Sequence, residues 1–294
     1  MAIRQTICWI ATLLIALVLQ TGIAQASFMA SIFLTGHDPD FHAAVGGNAA
    51  GAQHINQDAI DFIMDPAFNA FVAGGNRHFL FVECDTCPVP GGHVDGVPGL
   101  VDSAGGFPAG TTFETHGAAD GLATELTKLG TKYSGIVIGS DFGGMLTQAD
   151  LDILDADSAG IISFLNSGGG LYAMAETSTA DGGLASTGFF GFLPFIVASS
   201  PLNESEVGNT LTPFGASLGL TNSDVNGNFS HNVFTSTGGL GVVDRDPGNE
   251  ILSLAGRGTV TTTGLPEPSS ILSVSVGLIG LVLAYRRARL PRHS

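Results

Sequence analysis

The stretch TQADLDILDADSAGIISFLNSGGGLYAMAET, residues 147–177, limits the fold more than any other part of the chain. Thr147 stands where a helix N-cap belongs, and Asp150 follows three residues later, close to a capping box. Leu151, Leu154, Ala159, Ile162, Phe164 and Leu165 then recur on one side of a helix. Gly168, Gly169 and Gly170 end it, and the apolar run GLYAMAET reads as a buried strand. A helix delivered directly into a buried strand is half of a strand–helix–strand unit.

The same order recurs upstream. SIFLTGH (31–37) reads as a first strand and GAQHINQDAIDFIMD (51–65) as an amphipathic helix with Ile55, Ala59, Ile60, Phe62 and Ile63 inward. HFLFVEC (78–84) is a second strand, followed by a Gly/Pro/Asp loop to about Phe113. AADGLATELTKLG (118–130) reads as a helix closed by Gly130. YSGIVIGSD (133–141) is a third strand, apolar throughout as in a parallel sheet. Short alternating units predict an α/β fold, a three-layer sandwich with a mainly parallel sheet covered on both faces.

The two ends have a different character. Arg4, the apolar run Ile7–Leu19 and Ala24-Gln25-Ala26 form a secretory signal peptide, residues 1–26. A Thr/Gly-rich linker leads into Pro266-Glu267-Pro268, an apolar run and Arg286, Arg287, Arg289 and Arg292. Residues 270–285 are expected to form a C-terminal transmembrane helix, short for a bilayer core of about 30 Å. The arginines behind it are the mark of a cytoplasmic end. Residues 27–262 then form one exported α/β domain, and 263–294 a tail anchored in the inner membrane.

Charge narrows the partners. Of 26 acidic and 10 basic residues, only Glu267, Arg4 and the four tail arginines lie outside the body. The body keeps 25 acids and 5 bases, a net charge of −20. Such a surface repels nucleic acid and anionic lipid. It also attracts divalent cations, although solubility alone accounts for it.

The tail, in its order, spacing and terminal position, resembles the PEP-CTERM sorting signal of Gram-negative bacteria. That resemblance implies an exosortase as partner, cleavage near Pro266-Glu267-Pro268, a transient stay at the inner membrane, and delivery to the cell surface or to an extracellular polysaccharide and biofilm matrix. Residues 133–177 are similar to the glutamine-amidotransferase-like, or flavodoxin-like, class. There a strand ending in Gly-Ser-Asp precedes a helix ending Asn-x-Gly-Gly-Gly, and the next strand runs into a nucleophile elbow. Here the elbow position holds Ala173-Met174-Ala175-Glu176-Thr177, with no cysteine or serine nucleophile. The expected body is therefore a non-catalytic, amidotransferase-like binding domain without a cofactor.

Polar residues nonetheless gather at the expected strand ends, where open α/β sheets bind ligands. TGHDPDFH carries His37, Asp38, Asp40 and His42; GSDFGG carries Asp141; Glu176 and His231 follow later. If a site exists, His37, Asp38, Glu176 and His231 are its candidates, for a metal- or carboxylate-dependent hydrolase acting on glycan or peptide. On the other reading, Asp38 and Asp141 cap turns and the histidines are ordinary loop residues. SDVNGNFS and DRDPGNE have calcium-loop-like spacing, which would suit a calcium-binding adhesion module, but turn chemistry explains both without an ion. Cys84 and Cys87 admit a redox centre, half a zinc site or a local disulfide. Pro88, Pro90, Gly91 and Gly92 forbid the helix that a redox pair needs, and no second cysteine pair completes a zinc site. In an oxidising exterior the disulfide is the favoured state.

Overall fold

A computed structural model describes residues 29–261, apart from 85, 89–91, 102, 104–105, 108, 142, 177–189, 194, 196, 198 and 203–204. The signal peptide, Pro266-Glu267-Pro268, Arg286 and Arg287, and the membrane helix expected at 270–285 lie outside the described residues. Among the described residues no helix is long and apolar enough to cross a membrane. The expected C-terminal transmembrane helix therefore has no support in the fold.

Five strands run parallel: β1 (Ala30–Thr35), β2 (His78–Val82), β3 (Thr112–Thr115), β4 (Gly135–Ile138) and β5 (Gly170–Ala173), in the order β3-β2-β4-β5-β1. β1, β4 and β5 are buried at every residue, which is why they read as unbroken apolar runs. The sheet does not stop at β1. β10 (Ile251–Gly258) pairs antiparallel with it, from Ala30↔Gly258 to Thr35↔Ser253. β8 (Asn232–Phe234) and β6 (Ser199–Pro201) extend that edge, while β9 (Gly241–Arg245) pairs with β10 and with β7 (Thr210–Leu211).

The sheet is therefore mixed and ten-stranded, with four parallel and five antiparallel pairings among the described strands, and not mainly parallel as expected. Nor is the order that of a flavodoxin-like sheet, 2-1-3-4-5, since β1 lies between β5 and β10. One of these antiparallel pairings, β9 with β10, is set by the hairpin turn DRDPGNE. Asp246 accepts the Glu250 N–H at 2.7 Å and Asn249 takes a left-handed φ of 70°, so β10 returns against β9.

Eight helices are described: α1 (Pro39–His42), α2 (Ala49–Ile63), α3 (Ala70–Ala73), α4 (Val97–Val101), α5 (Leu122–Leu126), α6 (Gln148–Ala156), α7 (Ser158–Asn166) and α8 (Pro213–Ser217). One face of the sheet packs Ile32, Leu34, Leu80, Ile136 and Leu171 against Leu122, Leu126, Leu154, Ile161 and Leu165. The other packs Phe33, Phe79, Phe81, Val137 and Tyr172 against Ile55, Ile60, Ile63 and Leu100. The helix expected over 147–170 is two helices meeting at Asp157. Its capping box is present, with Thr147 N–H donating to Asp150 Oδ2 at 2.7 Å. The helix expected over 118–130 is a short 3-10 turn and α5, divided where Gly121 adopts φ 98°.

Candidate functional site

β1 ends at Thr35, and Gly36 carries the chain through a gap no side chain could share. A Cβ there would lie 2.1 Å from the Asn232 carbonyl oxygen. The Gly36 N–H donates to Leu252 O at 2.7 Å and its carbonyl accepts the His231 N–H at 2.6 Å. His37 and His231 are thereby drawn to one place from opposite ends of the chain. His37 Nε2 lies 2.9 Å from Asp244 Oδ2. Asp38 sits between two imidazoles, 3.4 Å from His42 Nε2 and 3.3 Å from His231 Nε2. Both are at ion-pair range, though among the described residues neither Asp38 oxygen accepts a well-directed side-chain hydrogen bond. Although Asp38 occupies the N-cap position of α1, its side chain does not cap that helix.

Of the four sequence candidates, His37, Asp38 and His231 thus meet at the end of β1. Glu176 is directed elsewhere. Its Oε2 accepts the Phe190 N–H at 2.6 Å, and the carboxylates it feels are Asp155 and Asp141.

A neighbouring cluster was not singled out as a site from the sequence. Asp40 accepts the Ser140 N–H and the Ser140 hydroxyl, both at 2.8 Å, joining the start of α1 to the end of β4. α2 is tied to the same turn, because Asn56 donates to Pro39 O and accepts from the Tyr172 hydroxyl, both at 3.0 Å. Glu83, just after β2, accepts the Gly96 N–H at 3.0 Å. Its carboxyl also faces Asp95. Two carboxyls can bond to each other only if one keeps its proton, and Glu83 is the buried member of the pair.

Burial governs the electrostatics. Desolvation raises Asp38 well above the usual carboxylate range despite His42 and His37, and raises Asp40 despite its bonds to Ser140. It lifts Glu83 to about 9, helped by Asp95 and Asp40, and Glu176 to about 8 against the Phe190 hydrogen bond. Glycines let the loops close over these groups. A Cβ on Gly144 would come within 2.8 Å of Asp40 Oδ2, and one on Gly96 within 2.9 Å of Glu83 Oε2. A Cβ on Gly99 would sit 1.8 Å from the Asp40 carbonyl oxygen. Gly99→Ala should therefore destabilise the body by about 2–3 kcal/mol, measured by urea unfolding, because backbone must move to admit one methyl group.

Access is the deciding property. His37, Asp38, Glu176 and His231 are 2, 0, 1 and 0% exposed. A hollow of about 300 Å³ beside the Cys84–Cys87 disulfide is lined by Asp141, His93 and Gly144 but by none of those four residues.

A third cluster has ligand-like spacing. One atom each of Glu114, His116 and Glu125 lies within 4.8 Å of the others. A cation is already there: Lys132 Nζ is 2.5 Å from Glu114 and 3.3 Å from Glu125, and the Tyr133 hydroxyl donates to Glu125 at 2.6 Å. Lys132 holds Glu114 down at about 2, and Lys128 does most to hold Glu125 there. A divalent ion would have to displace the ammonium.

Comparison with protein-family models, curated proteins and solved structures finds no match. The sorting-signal and amidotransferase-like resemblances therefore carry no family assignment. The calcium-like stretches spend their side chains on the protein. Asn228 exchanges two hydrogen bonds with the Asn48 backbone, Asp224 accepts from Thr221, and Asp246 accepts from Glu250.

Proposed function

We propose that this chain is an exported surface or extracellular-matrix protein whose body is a non-catalytic binding domain. The segment from Pro266 to Arg292 serves as its sorting signal, read by an exosortase. One observation carries the non-catalytic reading: His37, Asp38, Glu176 and His231 at the strand ends are all but closed to solvent, and none of them lines the hollow that Asp141 reaches. A hydrolase must bring substrate and water within about 3 Å of its acid, base or metal. Here the same groups bind backbone and one another. The lack of a cysteine or serine at the elbow position, residues 173–177, agrees with this, and the acidic body, soluble and repelled by nucleic acid, suits an exterior setting.

Expression of the full chain in a bacterium that has an exosortase tests the reading. The native chain should appear outside the cell, shortened at both ends by mass spectrometry. A variant with Pro266, Glu267 and Pro268 all changed to alanine should stay cell-associated with its tail uncut. Recovery of both forms in the cytosol at full length would refute the sorting reading. Turnover of a glycan or peptide by the purified chain, lost on Glu176→Gln or His231→Gln, would instead establish the hydrolase.

A further inference from the structure

A hollow of about 720 Å³ lies away from the strand-end clusters. Arg257 in its wall pairs with Ser31 at the start of β1, the opposite end from Asp38. One wall is α2 and its C-terminal side, with Asp58, Asp61, Phe62 and Asp65; the other is α8 with Phe214. Between them the floor is bare backbone at Gly239, Gly241 and Gly256 of the β9–β10 hairpin. The Phe214 ring rests against Gly241, where a Cβ would come within 2.8 Å of it. This volume is in the range that encloses small organic ligands.

The walls are built and unsatisfied. The Arg257 guanidinium lies 4.1 Å from the centre of the Phe62 ring and 3.8 Å from that of Phe68. It donates to Phe62 O and Asp65 Oδ2, both at 3.0 Å, so it is held in place and Asp65 is neutralised. Asp58 and Asp61, three residues apart on α2, accept no hydrogen bond from any described residue. Burial and the charge of Asp61 together raise Asp58 to about 6. Acceptors in this state favour a partner that brings protons.

The nature of that partner follows by elimination. Asp58, Asp61 and Asp65 outnumber the one cation in the wall, Arg257, and although His54 acts on Asp58 and Arg77 on Asp61, the lining has no excess of positive charge to draw an anion. A metal ion needs several oxygens converging on one point, and Asp58, Asp61 and Asp65 do not form such a group. Half-buried Phe62 and Phe214 supply apolar surface of the kind that packs on the C–H face of a sugar ring, while the carboxylates take hydroxyl protons. We propose that this hollow binds a neutral polyhydroxylated ligand, a short glycan segment, with Asp58 and Asp61 accepting its hydroxyls and Phe214 against a ring face. This deepens the reading of the body as a binding domain and rests on it.

The test is equilibrium binding of the purified full chain to neutral, amino-bearing and carboxylated oligosaccharides, followed by NMR line broadening of the sugar. Binding of a neutral oligosaccharide is expected, weakened at least tenfold by Asp58→Asn and by Phe214→Ala, with the thermal midpoint of Asp58→Asn no lower than the parent's. No binding of neutral sugars at millimolar concentration would overturn the proposal. So would binding that ignores both substitutions, or binding confined to amino sugars and simple ammonium ions, which would mean charge attraction alone. Cleavage of a bound sugar would refute the non-catalytic reading yet keep the pocket if Asp58→Asn still weakens binding. Correct sorting without sugar binding would remove the pocket and leave the tail's role intact.

Discussion

Asp40→Ala is expected to cost the body about 3–5 kcal/mol, a large part of the 5–15 kcal/mol that holds a typical domain together. The side chain is fully buried and accepts from Ser140 N, Ser140 Oγ and Phe41 N. Alanine removes all three acceptor contacts; the Phe41 N–H keeps the Asp38 carbonyl at 3.1 Å, so the loss falls on the two Ser140 donors, at about 1–3 kcal/mol each in the interior. It also leaves a void beneath Gly96, Gly139 and Gly144, whose backbones approach Asp40 too closely for any of them to bear a side chain without adjustment. Asp40→Asn separates the two contributions. Its amide oxygen can still accept the Ser140 N–H, while its NH2 can donate to the Ser140 hydroxyl but not bond the Phe41 N–H. A loss of about 1 kcal/mol at most is expected, because the Phe41 N–H still donates to the Asp38 carbonyl at 3.1 Å. Urea unfolding of the three proteins decides the matter. An alanine variant within 1 kcal/mol of the parent would show that α1 and β4 are not joined through this carboxylate.

The parallel half of the fold was legible because its signals are local. Ile55, Ala59, Ile60 and Ile63 keep helical spacing within one element, and all four are buried against the sheet. Thr147 and Asp150 close a capping box across three residues. The antiparallel half depends on partners far away in sequence. β6, β7 and β8 are two or three residues long, too short for any period to register. ILSLAGRG is buried on both faces from Leu252 to Ala255, and a buried apolar run says nothing about whether the neighbouring strand runs the same way. Direction came from DRDPGNE, recognised as turn chemistry and not as the hairpin that turns β10 back alongside β9.

The strand-end clusters were half legible for a related reason. That polar residues collect where β1, β4 and β5 finish follows from the architecture, which places His37 and Asp38; His231, just before β8, was a candidate only through the amidotransferase-like resemblance, near the position of that family's catalytic histidine. Which face a side chain takes beyond a strand end does not follow. Glu176 lies past the last paired residue of β5, where an N–H bond from Ala175 to His37 O sets the path, and it turns toward Phe190. Closure of the site was invisible, since Gly36, Gly96, Gly99 and Gly144 look like ordinary loop glycines until the backbone each must admit is known. The α2–α8 hollow was beyond reach altogether, because its floor is the hairpin that sequence periodicity does not orient.

Stability should fall as pH rises from 5 to 9, the reverse of a protein held by surface carboxylates. The direction follows from which state holds the protons. Glu83 titrates near 9 and Glu176 near 8 in the fold, against an ordinary 4.5 in the unfolded chain. Between those values the native state keeps protons that the unfolded chain has released, so each added pH unit favours unfolding by up to about 1.4 kcal/mol per group. The stabilisation is complete below 4.5 and is lost as pH climbs through 8 and then 9. Glu114 and Glu125, held near 2, act oppositely and only on the acid side, where solvent screens most of their effect. Glu83→Gln should flatten the alkaline limb and raise the melting temperature at pH 9. Its amide oxygen can still accept the Gly96 N–H, and its uncharged NH2 faces Asp95 without a carboxyl proton to lose. Glu176→Gln should remove the part of the slope that ends near pH 8 and keep the bond from Phe190. Thermal midpoints of the three proteins from pH 4 to 9 provide the check. A parent whose midpoint holds or rises across that range would have its buried acids ionised, and ionised acids need water or cations that a sealed, hydrogen-bonded interior does not contain. The strand-end clusters would then have to open, and the case against a catalytic site there would fall with the seal.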